Sequence, residues 1–84
     1  MKITLKLYAM LTDYLPPQHR HSNIIDLEVA DHSTIANIIE PYGLPEKLVH
    51  LVLVNGRYVE PHLRMSTTLV DGDVLAIWPP IAGG

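Results

Sequence analysis

Hydrophobic and polar positions alternate strictly at the start of the chain. Ile3, Leu5 and Leu7 fall on one side, with Lys2, Thr4 and Lys6 on the other, which is the period of a strand with one buried face. Tyr8 then falls on the face away from the core. Met10, Leu11, Tyr14 and Leu15 sit at helical offsets, but Pro16-Pro17 forbids continuation, so the pattern predicts one or two helical turns. After a polar connector, His19 to Asn23, the alternation returns with Ile25, Leu27 and Val29 against Asp26 and Glu28, which predicts a second strand paired with the first.

Ile35, Ile38, Ile39 and Tyr42 recur at i, i+3, i+4 and i+7, the stripe of an amphipathic helix. Asp31-His32-Ser33-Thr34 precedes it, where Ser33 or Asp31 can cap an orphan amide. Pro41 and Gly43 predict that the helix ends near Glu40 to Tyr42. Leu44-Pro45-Glu46-Lys47-Leu48 reads as a further short turn. Apolar runs from Leu48 to Val54 and from Arg57 to Val59 flank Asn55-Gly56, the strongest short-range hairpin signal. Leu63, Met65 and Leu69 predict a crossover anchored in the core. Asp71-Gly72 makes the last turn, and Val74 to Trp78 form a fifth strand. Pro79-Pro80 can neither donate to a ladder nor bend easily, so the tail is expected to leave the sheet extended. Residues 1 to 78 thus read as one α+β domain and residues 79 to 84 as a tail.

This pattern contains a conflict. One helix can cover one face of a small sheet, yet Leu51-Val52-Leu53-Val54 is apolar on both faces, Ala76 and Trp78 lie opposite Leu75 and Ile77, and Tyr8 lies opposite Leu7. The uncovered face therefore carries Tyr8, Ala76, Trp78 and part of the 51 to 54 run. Such a patch is expected to bind another protein; the structural alternative is that loops fold over it.

Composition narrows the chemistry. The chain has 84 residues and no cysteine, so there is no disulfide framework, thiolate metal site or cysteine nucleophile. Six basic against nine acidic residues, with no basic cluster beyond His19-Arg20-His21, argue against nucleic acid as a partner. No run approaches membrane-spanning length. The expectation is a soluble cytoplasmic protein with no membrane partner. His19, His21, His32, His50 and His62 show no ligand spacing, so no metal site is expected. Asp71 and Asp73 are more simply a turn with acidic flanks than an acid-base pair. The candidate reactive group is the carboxylate of Gly84, presented behind Ile81, Ala82 and Gly83.

Leu7-Tyr8-Ala9, Val54-Asn55-Gly56, Asp71-Gly72-Asp73 and above all Trp78-Pro79-Pro80-Ile81-Ala82-Gly83-Gly84 resemble the ubiquitin-like sulfur carriers of the MoaD/ThiS family, most of all the small subunit of molybdopterin synthase. That resemblance implies a β-grasp fold, a mixed sheet of about five strands with one main helix on one face. It implies that Gly84 is adenylated by an ATP-using, ubiquitin-activating-type enzyme and converted to a thiocarboxylate, whose sulfur is passed to an acceptor such as the molybdopterin synthase large subunit. The carrier itself would bind no cofactor, supply no catalytic side chain and be a monomer when free. Tyr8, Ala76, Trp78, Pro79, Pro80, Ile81, Ala82 and Gly83 would form the partner-binding surface. A thiamin-thiazole carrier, a protein modifier joined to lysines through Gly84, and a plain β-grasp binding module with a frayed end are the alternatives.

Overall fold

Strand β1 (Lys2–Leu7) is the seam of the sheet: it pairs antiparallel with β2 (Ile24–Glu28) on one side and parallel with β5 (Val74–Trp78) on the other. Beyond β5 lie β3 (Leu51–Val54) and the two-residue β4 (Arg57–Tyr58), each antiparallel to its neighbour, giving the order β2-β1-β5-β3-β4. The computed structural model describes residues 1–80. A parallel pair cannot be closed by a tight turn, so the chain between β1 and β5 must cross over, and it carries α1 (Ile35–Ile39) with it. A five-stranded mixed sheet and one short helix make the β-grasp arrangement expected from the sequence.

The covered face of the sheet and the helix close on one core. Ile3, Leu5 and Leu7 of β1, Leu75 and Ile77 of β5, Val52 of β3 and Ile35 and Ile38 of α1 are all buried, and Leu11, Leu15, Val59 and Leu69 seal its ends. Each such side chain stabilises the fold by about 1.5–3 kcal/mol, and no buried side-chain polar atom among the described residues lacks a partner.

The structure meets some local expectations and corrects others. The cap of α1 is Thr34 rather than Ser33 or Asp31. Thr34 Oγ1 accepts from the Asn37 amide at 3.1 Å while Asn37 Oδ1 accepts from the Thr34 amide at 3.1 Å, a reciprocal capping box, and the Ser33 hydroxyl instead donates to the Ala30 carbonyl. The helix runs five residues before Glu40–Tyr42 tighten into a 3-10 turn, because Pro41 has no amide to donate; Gly43 then closes it at φ 65°. Burial against the helix raises the Tyr42 phenol above its ordinary value of 10.0. Another 3-10 turn, Glu46–Leu48, delays the start of β3 to Leu51. In the crossover only Leu69 reaches the core; Leu63 is 42% and Met65 80% exposed, so two of the three expected anchors face outward. Asn55 and Gly56 both take positive φ, 51° and 83°, as a two-residue hairpin with the right twist requires.

Candidate partner interface at the exit of the last strand

Because β5 lies between β1 and β3, its end is held from both sides. The Tyr8 amide donates to the Ile77 carbonyl at 3.1 Å, and the His50 amide donates to the Trp78 carbonyl at 3.1 Å. Trp78 stands opposite Leu51 in the β3 register. Tyr8 is still extended, but Ala9 turns the chain away at φ 54° and the Leu11 amide bonds back to the Tyr8 carbonyl, so Tyr8 remains beside the last strand.

The result is an aromatic pair at the tail's point of departure. The Tyr8 and Trp78 rings stack with centroids 4.1 Å apart and planes 7° from parallel, both half-buried. Such a pair is worth about 0.5–1.5 kcal/mol beyond the area it covers. Strand alternation places Leu51 and Leu53 of β3 and Tyr58 of β4, itself 54% exposed, on the same face. Toward β1 and β2 that face becomes charged, with Lys2, Lys6, Asp26 and Glu28. It is therefore apolar over β5, β3 and β4 and mainly charged over β1 and β2, with the exposed Ile24 beside Lys6 as the apolar exception.

Ala76 differs from expectation. It lies on the predicted face but is only 8% exposed, flanked in register by Lys6 and Leu53, whose longer side chains rise on either side. Leu51, Leu53 and Tyr58 supply more accessible surface than Ala76, and Tyr58 was missed because its alternation spans too few residues to register. Pro79 is half-buried and Pro80 exposed. Ile81, Ala82, Gly83 and Gly84 lie outside the described residues.

The Asp71-Gly72-Asp73 turn is committed to architecture. Asp73 accepts from the Asn55 side-chain amide at 2.8 Å and from the Val70 backbone amide at 2.9 Å; Asn55 Oδ1 in turn accepts from the Val74 amide at 2.8 Å. Asp71 accepts from the Lys2 amide at 2.6 Å, and Gly72, at φ 89°, donates to the Lys2 carbonyl. Both carboxylates thus fasten the start of β5 to β1 and to the β3–β4 turn. Among the described residues no group of three or more His, Cys, Asp or Glu side chains could hold a metal ion, and no helix is long and apolar enough to cross a membrane.

The family described as Mut7-C ubiquitin matches residues 1–82. The chain belongs to the Mut7-C ubiquitin family. No curated protein matches its sequence. The solution structure of the Haloferax volcanii HVO 2177 protein is 30% identical with a TM-score of 0.74, covering 100% of this chain and 87% of that one. The H. volcanii small archaeal modifier protein 1 is 20% identical with a TM-score of 0.67, covering 95% and 98% of the two chains. A complex of subunits 1 and 2 of the molybdopterin-converting factor from Helicobacter pylori contains a chain 22% identical, with a TM-score of 0.61 and 100% coverage of both. These last two likenesses establish a shared fold. The resemblance to a ubiquitin-like family, read from the tail and the turns, is borne out by the family match, and the fold shared with subunit 1 of the molybdopterin-converting factor agrees with it. In this Mut7-C ubiquitin family member the aromatic stack and the apolar half-face are the features around which a function can be argued.

Proposed function

We propose that this protein is a sulfur carrier whose Gly84 carboxylate is activated and converted to a thiocarboxylate by partner enzymes that dock on the Tyr8–Trp78 half of the open face. The observation that carries this is the position of the stack: the strand leading to Gly84 ends between two hydrogen-bonded neighbours, with the half-buried Tyr8–Trp78 pair at the point where the tail departs. A partner gripping that surface receives the tail in a defined direction. Pro79 and Pro80 limit the conformational freedom lost as the tail is threaded, and Ile81 and Ala82 supply small apolar contact. Glycine at 83 and 84 leaves the terminal carbon open to approach.

The chemistry follows from the poor electrophilicity of a carboxylate. A Gly84 oxygen attacks the α-phosphorus of ATP, forming an acyl adenylate and releasing pyrophosphate. A sulfide-level nucleophile then attacks the carbonyl carbon, the C–S bond forms, and AMP leaves with the oxygen. These steps need an adenylating enzyme, ATP and a sulfur donor, and no catalytic side chain of the carrier. As the acceptor we propose the large subunit of molybdopterin synthase; the fold shared with subunit 1 of the H. pylori complex supports a carrier that works in complex with a partner subunit. Intact mass after incubation with an adenylating enzyme, ATP and sulfide is expected to rise by the difference between sulfur and oxygen, and chain lacking Gly83-Gly84 is expected to stay unchanged. Unchanged mass of the full chain across several adenylating enzymes would overturn the proposal.

The likeness to a small archaeal modifier protein favours one second reading, conjugation of Gly84 to lysine amines. Both share the adenylate, so a ladder of heavier species in a lysate, in place of a stable thiocarboxylate, would favour the modifier.

A further inference from the structure

Arg64 is a half-buried cation whose described partners are all backbone carbonyls. Its Nη1 donates to the Val49 carbonyl at 2.8 Å, its Nη2 to the His50 carbonyl at 2.9 Å and its Nε to the Val59 carbonyl at 3.3 Å. Its own carbonyl accepts from the Ala36 amide in the first turn of α1. Its side chain therefore joins the crossover to Val59 after β4 and to the two residues that lead into β3, while its backbone carbonyl holds the helix start.

Those two residues matter because of what His50 does next. Its amide donates to the Trp78 carbonyl. Pro79 and Pro80 have no amide, so this bond, together with the Leu51 pairing in the β3 ladder, holds the end of the outgoing strand. Val49 and His50 precede β3 and follow the Glu46–Leu48 turn, so the strand ladder does not fix their carbonyls; the guanidinium does. The planar fork of Arg suits two adjacent carbonyls in a way a point-charged ammonium cannot.

We infer that Arg64 is a positioning residue for the tail: by fixing Val49 and His50 it holds the final anchor of β5 and so sets the direction in which Pro79-Pro80 deliver Gly84 to the adenylating partner. The catalytic consequence rests on the proposed function; the positioning itself does not.

The test is Arg64→Lys, which keeps the charge and loses the fork. Amide hydrogen exchange read by NMR is expected to quicken at His50 by about fivefold, the scale of one weakened hydrogen bond, while amides in the β1–β5 ladder keep their rates. Uniform quickening across the sheet would overturn the inference, because it would mark Arg64 as a contributor to global stability alone. Kinetics supply the second measurement. The carrier is the substrate of the adenylating enzyme, so partial unfolding lowers the concentration of competent substrate and raises apparent KM at constant kcat. Loss of aim with the docking face intact instead lowers kcat, by about fivefold, with KM little changed. A loosened His50 with unaltered kcat would refute the link to delivery. If the wild-type chain is not adenylated, the proposed function falls, and the His50 exchange rate alone still decides the positioning role.

Discussion

Replacing Trp78 with alanine separates docking from folding, because the two effects differ in size and in assay. In the free protein Trp78 is half-buried and stacked on Tyr8 at 4.1 Å. Removing a fully buried Trp costs about 3–5 kcal/mol. With roughly half the ring already in water, the loss is expected to be about 2 kcal/mol, including the stack. A domain of this length is stable by about 4–12 kcal/mol, so even at the low end more than nine-tenths of the variant stays folded, and its melting temperature falls by about 8–16 °C.

Partner affinity is expected to change much more. An aromatic at the centre of an interface contributes about 2 kcal/mol or more, which is about thirtyfold in Kd. Loss of a tenth of the folded population cannot produce thirtyfold, so a drop of that size must come from the surface itself. Titration calorimetry of wild type and Trp78→Ala against the adenylating enzyme, below both melting temperatures, gives the comparison. A Kd within about threefold of wild type, alongside the expected loss of stability, would show that Trp78 serves the fold and that the apolar half-face docks nothing.

Two further outcomes follow from the local geometry. Asp73→Ala removes the acceptor of the Asn55 and Val70 donors and is expected to lower stability by about 1–2 kcal/mol in urea, shifting the midpoint at unchanged slope; a midpoint equal to wild type would mean that the turn holds β5 without it. Burial raises the Tyr42 phenol above 10.0, so its contribution to stability is fully present below pH 10 and is lost as pH rises through the folded-state value, the unfolded chain ionising first. Tyr42→Phe is expected to flatten the alkaline decline of stability, and superimposable wild-type and variant profiles would rule out that origin.

Strands with one buried face were legible because alternation carries their geometry. β1, β2 and β5 came directly from residues such as Ile3-Leu5-Leu7 and Leu75-Ile77, and the β3–β4 turn from Asn55-Gly56. Features set by neighbours distant in sequence were not. Ala76 was placed on the right face, but its burial depends on Lys6 and Leu53 in adjoining strands. Leu63 and Met65 suggest anchors by apolar identity alone, with no period to fix their direction, and both are exposed. Thr34 carries no recognisable capping-box signal because its reciprocal partner is Asn37 rather than the glutamate or glutamine that usually marks the box. Arg64 gave no local signal, since its partners, Val49, His50 and Val59, are backbone groups five to fifteen residues away.

The strand order gives these features a common purpose. A final strand at a sheet edge would be held on one side, and its last residues could fray with the tail. Here β5 is central: β1 and the Tyr8 that follows it grip one side, β3 and its approach grip the other through Leu51 and His50, and the Asp73–Asn55 latch fixes its start. The two parts of the proposed function, a docking face and a tail, then diverge from one residue. Trp78 stacks on Tyr8 while its carbonyl accepts from the His50 amide, so under the proposed function binding at the ring and the departure of the chain at Pro79 are coupled through one residue whose peptide unit is planar.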